Sequence, residues 1–397
     1  MSISNLNSTA ATEAFFATCP RGLEPTLAAE LETLGAGDVA PTAGGVGFTG
    51  TFAACYRVNL ESRIASRVLW RIAHARYRNE EDIYRTVQAL PWPAWFGAER
   101  TIRVDVAAIR SPLRSLDFIT LRIKDAVCDN FRAAHGKRPD VDTHRPDVRI
   151  HAFLTRDDIT LYLDTSGDAL FKRGRREAAG AAPLRENLAA GILRLAGWSP
   201  EMPLLDPMCG SGTFLIEAAL IALDIAPGIN RNFGFEKLAN FDERRWRALK
   251  DNALRRHKSI RPVIFGADID AAAIDNARSN LALAGLDEAV QLTRASVLDL
   301  STPAPAGVLV ANPPYGVRVG EPEKLAAFYP KLGDVLKRNF AGWRACLFSA
   351  DPQLPKLIRL KAARRTPLYN GALECRLFEY RLVAGSMRDR PPVSGSA

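Results

Sequence analysis

Cysteine is scarce and scattered in this 397-residue chain. Cys19, Cys55, Cys128, Cys209, Cys346 and Cys375 form no Cys-x-x-Cys pair and no dense framework. That excludes a disulfide-stapled scaffold and leaves isolated thiols of a reducing compartment. Long hydrophobic runs are absent too. The longest, residues 214–226, is interrupted by Glu217 and Asp224, which makes it too polar for a bilayer core. The first twelve residues lack the basic-then-apolar order of a secretory leader. A P-loop needs a Lys after its last glycine, and none follows Gly212; a dinucleotide fingerprint needs a third glycine, and position 215 is Leu. No internal repeat is found. These absences predict a cytoplasmic, soluble protein with no membrane partner and no metal.

What is present is ordinary globular composition, 47% hydrophobic and 24% charged. The length predicts two or three domains. Lys and Arg number 53 against 44 Asp and Glu, a formal charge of +9. A basic surplus favours polyanionic partners, nucleic acid first.

Local patterns divide the chain. A strand at Phe15–Cys19, a helix over residues 25–34, a glycine-rich hairpin at residues 44–48 and a helix over residues 52–64 predict a small α+β domain over residues 14–75. Residues 76–165 read as a second unit, with a helical face at Leu116, Ile119, Ile123, Ala126 and Val127 and a hairpin of residues 148–154 and 158–163. Residues 166–183 read as a linker. Over residues 184–385 strands alternate with helices, the pattern of a doubly wound α/β domain with a mostly parallel sheet. Residues 1–12 and 386–397 are expected to be disordered.

Three strand tips carry chemistry. The first is Asp206-Pro207-Met208-Cys209-Gly210-Ser211-Gly212-Thr213. Its glycines let backbone pass close to a ligand, and the helix that follows offers free N–H groups. Asp206 at the tip can accept from an ammonium, which suits the amino-acid portion of S-adenosylmethionine. The second tip is Asp268-Ile269-Asp270. An acidic residue there takes ribose hydroxyls in α/β nucleotide sites; Asp268 is assigned that role and Asp270 that of helix cap. The interval from Asp206 to Asp268 is long, and the surplus, residues 230–258, reads either as a substrate-facing cover or as a solvated helix.

The third tip, Asn312-Pro313-Pro314-Tyr315, follows an apolar strand. Two prolines end the strand rigidly. The Asn312 side-chain oxygen and the Pro313 carbonyl can each accept one N–H of an exocyclic amine. Such a nitrogen is a poor nucleophile because its lone pair is drawn into the base, and two fixed acceptors favour its pyramidal form. Tyr315 can stack on the base. An activated methyl donor needs alignment more than a general base.

These motifs in this order resemble class I S-adenosylmethionine-dependent amino-methyltransferases. The flanks narrow the resemblance. Phe16-Ala17-Thr18-Cys19-Pro20-Arg21-Gly22-Leu23-Glu24, Phe171-Lys172-Arg173-Gly174-Arg175-Arg176, Ala182-Pro183-Leu184-Arg185-Glu186 and Ala226-Pro227-Gly228 with Phe233-Gly234-Phe235 resemble the bacterial 23S rRNA guanine-N2 methyltransferase L family over residues 14–385. The resemblance implies a ferredoxin-like piece over 14–75, a THUMP RNA-binding domain over 76–165 and a Rossmann-like methyltransferase domain. It implies methylation of the N2 amine of a guanine in large-subunit rRNA, with S-adenosyl-L-methionine as cofactor and rRNA or a ribosome assembly precursor as partner. Some members are fused to a second domain that makes 7-methylguanosine, and that activity is not expected of these residues.

One departure stands out. The family carries an Asp after the third strand, near the adenine. Here Ser296 stands near that position with Asp299 close by, and either is assigned to the adenine. Candidate RNA contacts are Arg122, Lys124, Arg132, Lys137 and Arg138, then Arg173, Arg175 and Arg176, with a further patch at Arg359, Lys361, Arg364 and Arg365. The alternatives are a tRNA guanine-N2 methyltransferase, a DNA adenine-N6 methyltransferase and a non-enzymatic RNA-binding assembly factor.

Overall fold

The computed structural model describes residues 11–173, 184–314 and 321–383. Tyr315, Arg175, Arg176, the signature residues 182–183 and the tail 386–397 lie outside the described residues, as do residues 1–10.

The described chain divides into two units. Residues 11–19, 27–173 and 226–255 form one; residues 20–26, 184–225, 256–314 and 321–383 form the other. The N-terminal part of the chain runs β1 (Glu13–Thr18), α1 (Glu24–Thr33), β2 (Gly37–Thr42), β3 (Gly45–Gly50), α2 (Phe52–Glu61), β4 (Arg67–Arg76), α3 (Glu80–Gln88), β5 (Ile102–Ala108), α4 (Leu116–His135), β6 (Val148–Leu154) and β7 (Asp158–Asp164). Local chemistry sets the helix ends. Thr51, Asn79 and Ser115 accept from the backbone N–H three residues on, capping α2, α3 and α4. Helix α4 stops at Gly136, whose φ of 67° is the left-handed cap conformation.

These strands make one seven-stranded sheet, ordered β2-β3-β1-β4-β7-β6-β5. The stretches expected to form two domains, residues 14–75 and 76–165, therefore share a sheet. Strand β4 joins them, pairing with β1 on one side and β7 on the other. Its sequence, with Arg71, His74 and Arg76 among the apolar residues, gave no clean period-2 signal, and no strand was expected there. Strand β6 buries every second residue, from Val148 to Leu154, the signature of a sheet covered on one face.

The second unit follows with α5 (Glu186–Leu195), β8 (Leu204–Asp206), α6 (Thr213–Ala222), α7 (Glu243–Arg255, which belongs to the first unit), β9 (Ile264–Asp268), α8 (Ala271–Leu283), β10 (Gln291–Arg294), β11 (Val308–Ala311), α9 (Glu321–Asn339), β12 (Arg344–Ser349), α10 (Leu354–Leu357), β13 (Arg364–Asn370) and β14 (Leu373–Arg381). The sheet order is β10-β9-β8-β11-β12-β14-β13. Strands β8 to β12 run parallel, and β14 returns antiparallel beside β12. The doubly wound, mostly parallel α/β sheet is present as expected. All four residues of β11 are buried, because a parallel strand is covered on both faces. Tyr329 and Leu336 of the following helix and Phe340 just beyond its end pack with Leu309 and Ala311 in this core. The order reverses between β8 and β11, and the crevice beyond the strands' C-terminal ends at such a point is where open α/β sheets bind ligands.

Two segments lie where the sequence reading did not put them. Residues 226–255 pack into the first unit, α7 through its buried Trp246 and Ala253 while most of its other residues are exposed. The Phe235 ring lies 4.4 Å from that of Tyr56, and Trp246 stands edge-on to Phe233 and Phe235. Gly228 N–H donates to the Leu60 carbonyl at 2.9 Å. Phe233, Phe235 and Trp246 are buried, and each phenylalanine so buried contributes roughly 1.5–3 kcal/mol, which decides the destination of the insertion. Conversely, residues 20–26 of the N-terminal signature belong to the second unit. The Arg21 guanidinium lies over the Tyr369 ring, and Leu23 packs so closely on Gly191 that any Cβ there would come within 2.4 Å of it. No helix of the described residues is long and apolar enough to cross a membrane.

Candidate functional site

A cavity of about 330 Å³ opens at the switch point of the second sheet. Asp206, at the end of β8, forms its floor and is almost fully buried. Its Oδ1 accepts from Met208 N–H at 3.2 Å. Burial, and after it the negative charge of Asp268, push this carboxyl up to about 8.

The loop beyond β8 turns at Gly210 (φ 52°) and Gly212 (φ 83°), both left-handed. A Cβ at Gly210 would meet nothing within 4 Å, whereas one at Gly212 would lie 3.3 Å from the Ala277 side chain. The first glycine thus leaves the cavity open, and the second lets the loop pass against α8. Asn280 Nδ2 donates to Ser211 O, and Cys209 N–H donates to Ala267 O. The Cys209 thiol is raised well above its ordinary range by burial and by Asp206 and Asp268, so it is no thiolate.

Asp268 works on the loop from outside the cavity lining. Its Oδ2 accepts from Gly210 N–H at 2.9 Å and its Oδ1 from Asp270 N–H at 3.0 Å. Asp270 caps α8 through Ala272 N–H, as read from sequence, and also lines the cavity. Ile269 beside it is 68% exposed. Ser296 is half-buried, its Oγ accepting from Leu298 N–H, and Asp299 is exposed.

Asn312 directly follows β11 and lines the same cavity. Its Oδ1 is buried with no hydrogen-bond partner among the described residues. A buried acceptor without a donor costs about 1–3 kcal/mol, so this oxygen, on a residue that lines the cavity, is suited to a ligand's N–H. Pro313 is buried, and the Pro314 carbonyl accepts from the Tyr329 hydroxyl at 3.1 Å.

The structure thus brings Asp206, Cys209, Gly210, Thr213 and Asn312 to one cavity. Pro207, Gly212, Asp268, Ile269, Ser296, Asp299, Pro313 and Pro314 are not among its lining residues. Sequence reasoning missed Leu184, Ala272, Ala273 and Asn276, which line it, and Tyr329, which holds the proline turn. Ala272 and Asn276 are four apart and Ala273 and Asn276 three apart on α8, so helical spacing puts them on one face. Tyr329 had no local signal.

The candidate RNA residues have the following surroundings. On α4 Arg122 pairs with Glu81 and lies over the Tyr84 ring, Lys124 pairs with Asp125 and Arg132 with Asp129. Lys137 and Arg138 are exposed beyond the helix end. Arg173 is buried and donates to the carbonyls of Leu170 and Arg63. Arg359 and Lys361 are exposed, and Arg364 and Arg365 stand exposed on the edge strand β13. Among the described residues no group of three or more His, Cys, Asp or Glu is placed to hold a metal ion.

Comparison with known families agrees with this architecture. Residues 173–379 match the RMKL-like methyltransferase domain. The chain belongs to the RMKL-like methyltransferase family. Residues 77–164 of this RMKL-like chain match the THUMP domain and residues 14–69 the RlmL ferredoxin-like domain. It is 44% identical over 382 residues to a protein of Syntrophotalea carbinolica named ribosomal RNA large subunit methyltransferase K/L, covering 93% of this chain and 53% of that one. It is 40% identical to a Synechocystis protein named "putative RNA methyltransferase", over 94% of this chain and 98% of the relative. The RMKL-like chain therefore spans about half the length of the K/L relatives and nearly all of the Synechocystis one. Among solved structures, a "putative methyltransferase complexed with SAH" superposes with a TM-score of 0.86 at 31% identity, over 94% of this chain and 99% of the other.

Proposed function

We propose that the chain is an S-adenosylmethionine-dependent RNA methyltransferase that modifies the N2 amine of a guanine in 23S rRNA. The observation that carries this reading is the Asn312 oxygen, buried and without a hydrogen-bond partner among the described residues, on a residue that lines the same cavity as Asp206 and the glycine loop. The names of the K/L relatives and the solved relative with SAH support the reaction class and the cofactor.

The residues present fit the cofactor. Asp206 is a buried carboxyl that a cation would return to its ionised form, which suits an ammonium. Gly210 leaves the space open beside it. Asp268 would meet the ribose, Ile269 would cover one face of the adenine, and Ser296 or Asp299 would meet its edge. When bound, S-adenosylmethionine supplies an activated methyl group on a sulfonium.

The protein's own contribution is to hold the target amine. Asn312 Oδ1 and the Pro313 carbonyl accept its two N–H groups. Tyr329 fixes the turn through the Pro314 carbonyl before substrate arrives, so little reorganisation is left for the reaction. Tyr315 is assigned the stacking face for the base. RNA is assigned to the THUMP-bearing unit, and ribosomal RNA or an assembly precursor is the proposed partner.

Methyl transfer from labelled cofactor, offered separately to protein-free large-subunit rRNA, total tRNA and DNA with digestion to nucleosides, tests the reading. N2-methylguanosine in the rRNA alone is expected. Label in tRNA would move the substrate, N6-methyladenine in DNA would overturn both base and polymer, and cofactor binding without transfer to any polymer would favour a non-enzymatic role.

A further inference from the structure

The helix α4 face of the first unit holds most of its candidate basic residues in ion pairs. The other face of the same sheet is different. Phe16 of β1, Tyr162 of β7 and Phe153 of β6 point to it, each half-buried. Register makes them neighbours: Phe16 pairs with Leu69, which pairs with Asp164, and His151 pairs with Tyr162 while Phe153 pairs with Thr160. The Phe16 and Tyr162 rings lie 6.2 Å apart. Beside them β3 carries Gly45, where a Cβ would come within 2.8 Å of the Phe16 ring, so that ring lies flat on the sheet. Over these residues runs a trough of about 890 Å³, against about 330 Å³ for the cavity at Asp206.

The charges of this face are sorted. Its acids have basic neighbours on the sheet: Asp105 pairs with Arg103 at 2.8 Å and Arg149 at 3.5 Å, Asp164 pairs with Arg67, and His74 Nε2 lies 3.9 Å from Asp158. Arg71, level with Tyr162, and the rim residues Arg110 and Arg156 are exposed and have no acidic partner among the described residues. The rim is held, because the Tyr77 hydroxyl bonds both Ser111 Oγ at 2.8 Å and Thr155 O at 2.6 Å. Arg110 sits at φ 58°, a conformation that a non-glycine residue keeps only where its surroundings enforce it.

Flat aromatic surface ringed by unpaired arginines matches unstacked bases and their phosphates. A duplex would keep its bases stacked on each other and meet a protein through shape and backbone. We propose that this trough seats unpaired nucleotides of the RNA substrate, with bases on Phe153 and Tyr162 and phosphates against Arg71, Arg110 and Arg156. The proposal rests on the RNA reading above and adds a place and a strandedness to it.

The test titrates the full chain with a fluorescent single-stranded oligoribonucleotide and with an RNA duplex of the same sequence, and maps photocrosslinks by mass spectrometry. Two double variants are compared with the parent, Phe153→Leu with Tyr162→Leu, and Arg110→Ala with Arg156→Ala. The second pair is on the surface and keeps the test alive should the first fold poorly. Expected are crosslinks at Phe153 or Tyr162 and about a tenfold loss of single-strand affinity in each variant, with cofactor affinity and duplex binding unchanged. Equal affinity of parent and variants, crosslinks confined to other faces, an equal loss for the duplex, or burial of Tyr162 by a second copy of the chain would each overturn the proposal. The two readings fail separately. A parent that transfers no methyl to RNA yet binds single strands through these residues loses the proposed function and keeps the trough. A parent that transfers methyl while its variants bind as before loses only the trough.

Discussion

The two seven-stranded sheets present ligand surfaces in opposite ways, and strands β6 and β11 show why. Strand β6 buries alternate residues, whereas β11 buries all four. A sheet covered on both faces has only its strand ends to offer, so the second unit's cavity is small and lined by a loop, a helix start and a strand tip. A sheet covered on one face can offer a broad surface, and the first unit has a trough of aromatic rings and arginines there. Connectivity decides between these designs: parallel crossovers place helices on both faces, antiparallel hairpins need not.

The comparison is broken most strongly by charge. Val310→Asp puts a carboxylate in a strand with no open face. It should cost roughly 4 kcal/mol or more, enough to unfold the second unit in a denaturant titration. A cooperative, parent-like transition would mean that β11 is not enclosed.

Next is Asn312→Ala. Removing one preorganised polar group from a reacting site slows chemistry on the order of a hundredfold. Single-turnover transfer should fall by about that much while calorimetry finds cofactor affinity within a few-fold. A parent rate would remove Asn312 from the chemistry.

The third concerns pH. Asp206 has a folded-state pKa raised to about 8 from 3.8. The folded state therefore holds this proton more tightly than the unfolded one. The associated stability is fully present below about pH 4 and is lost as pH rises toward 8. In cofactor-free protein, Asp206→Asn should flatten that decline in thermal unfolding. Binding a cation at Asp206 should also release a proton near pH 7, visible as a buffer-dependent heat. No proton release would place the cofactor's ammonium elsewhere.

Smaller effects sharpen the contrast. Tyr329→Phe deletes one hydrogen bond to Pro314 O and should cost about 1 kcal/mol, with transfer slowed and cofactor affinity kept. Arg71→Glu on the open face should change stability by no more than about 0.5 kcal/mol. A large loss by urea unfolding would mean that this face is packed.

Much of this was legible beforehand, for identifiable reasons. The hydrophobic strands β8 and β9, each ending in Asp, and β11, followed by Asn, announced three tips at one sheet edge, because strand periodicity and breaker residues are local. The capping role of Asp270 was equally local. Strands β4 and β13 were not legible, since arginines and a histidine obscure the alternation in one and arginines read as a surface patch in the other. Tyr329 was invisible because its partner, Pro314, is fifteen residues away.

The sequence by itself therefore determined the alternation of elements, the glycine loop, the caps and the chemical character of each strand tip, all properties of a few adjacent residues. Tertiary structure alone decided which tips share a cavity, that Asp268 braces the glycine loop through the Gly210 N–H, and that residues 226–255 join the first unit. Those outcomes depend on what each buried ring or carboxyl meets across the fold. Aromatic burial carried the insertion to Tyr56, and pairing of β4 on both edges merged two expected domains into one sheet.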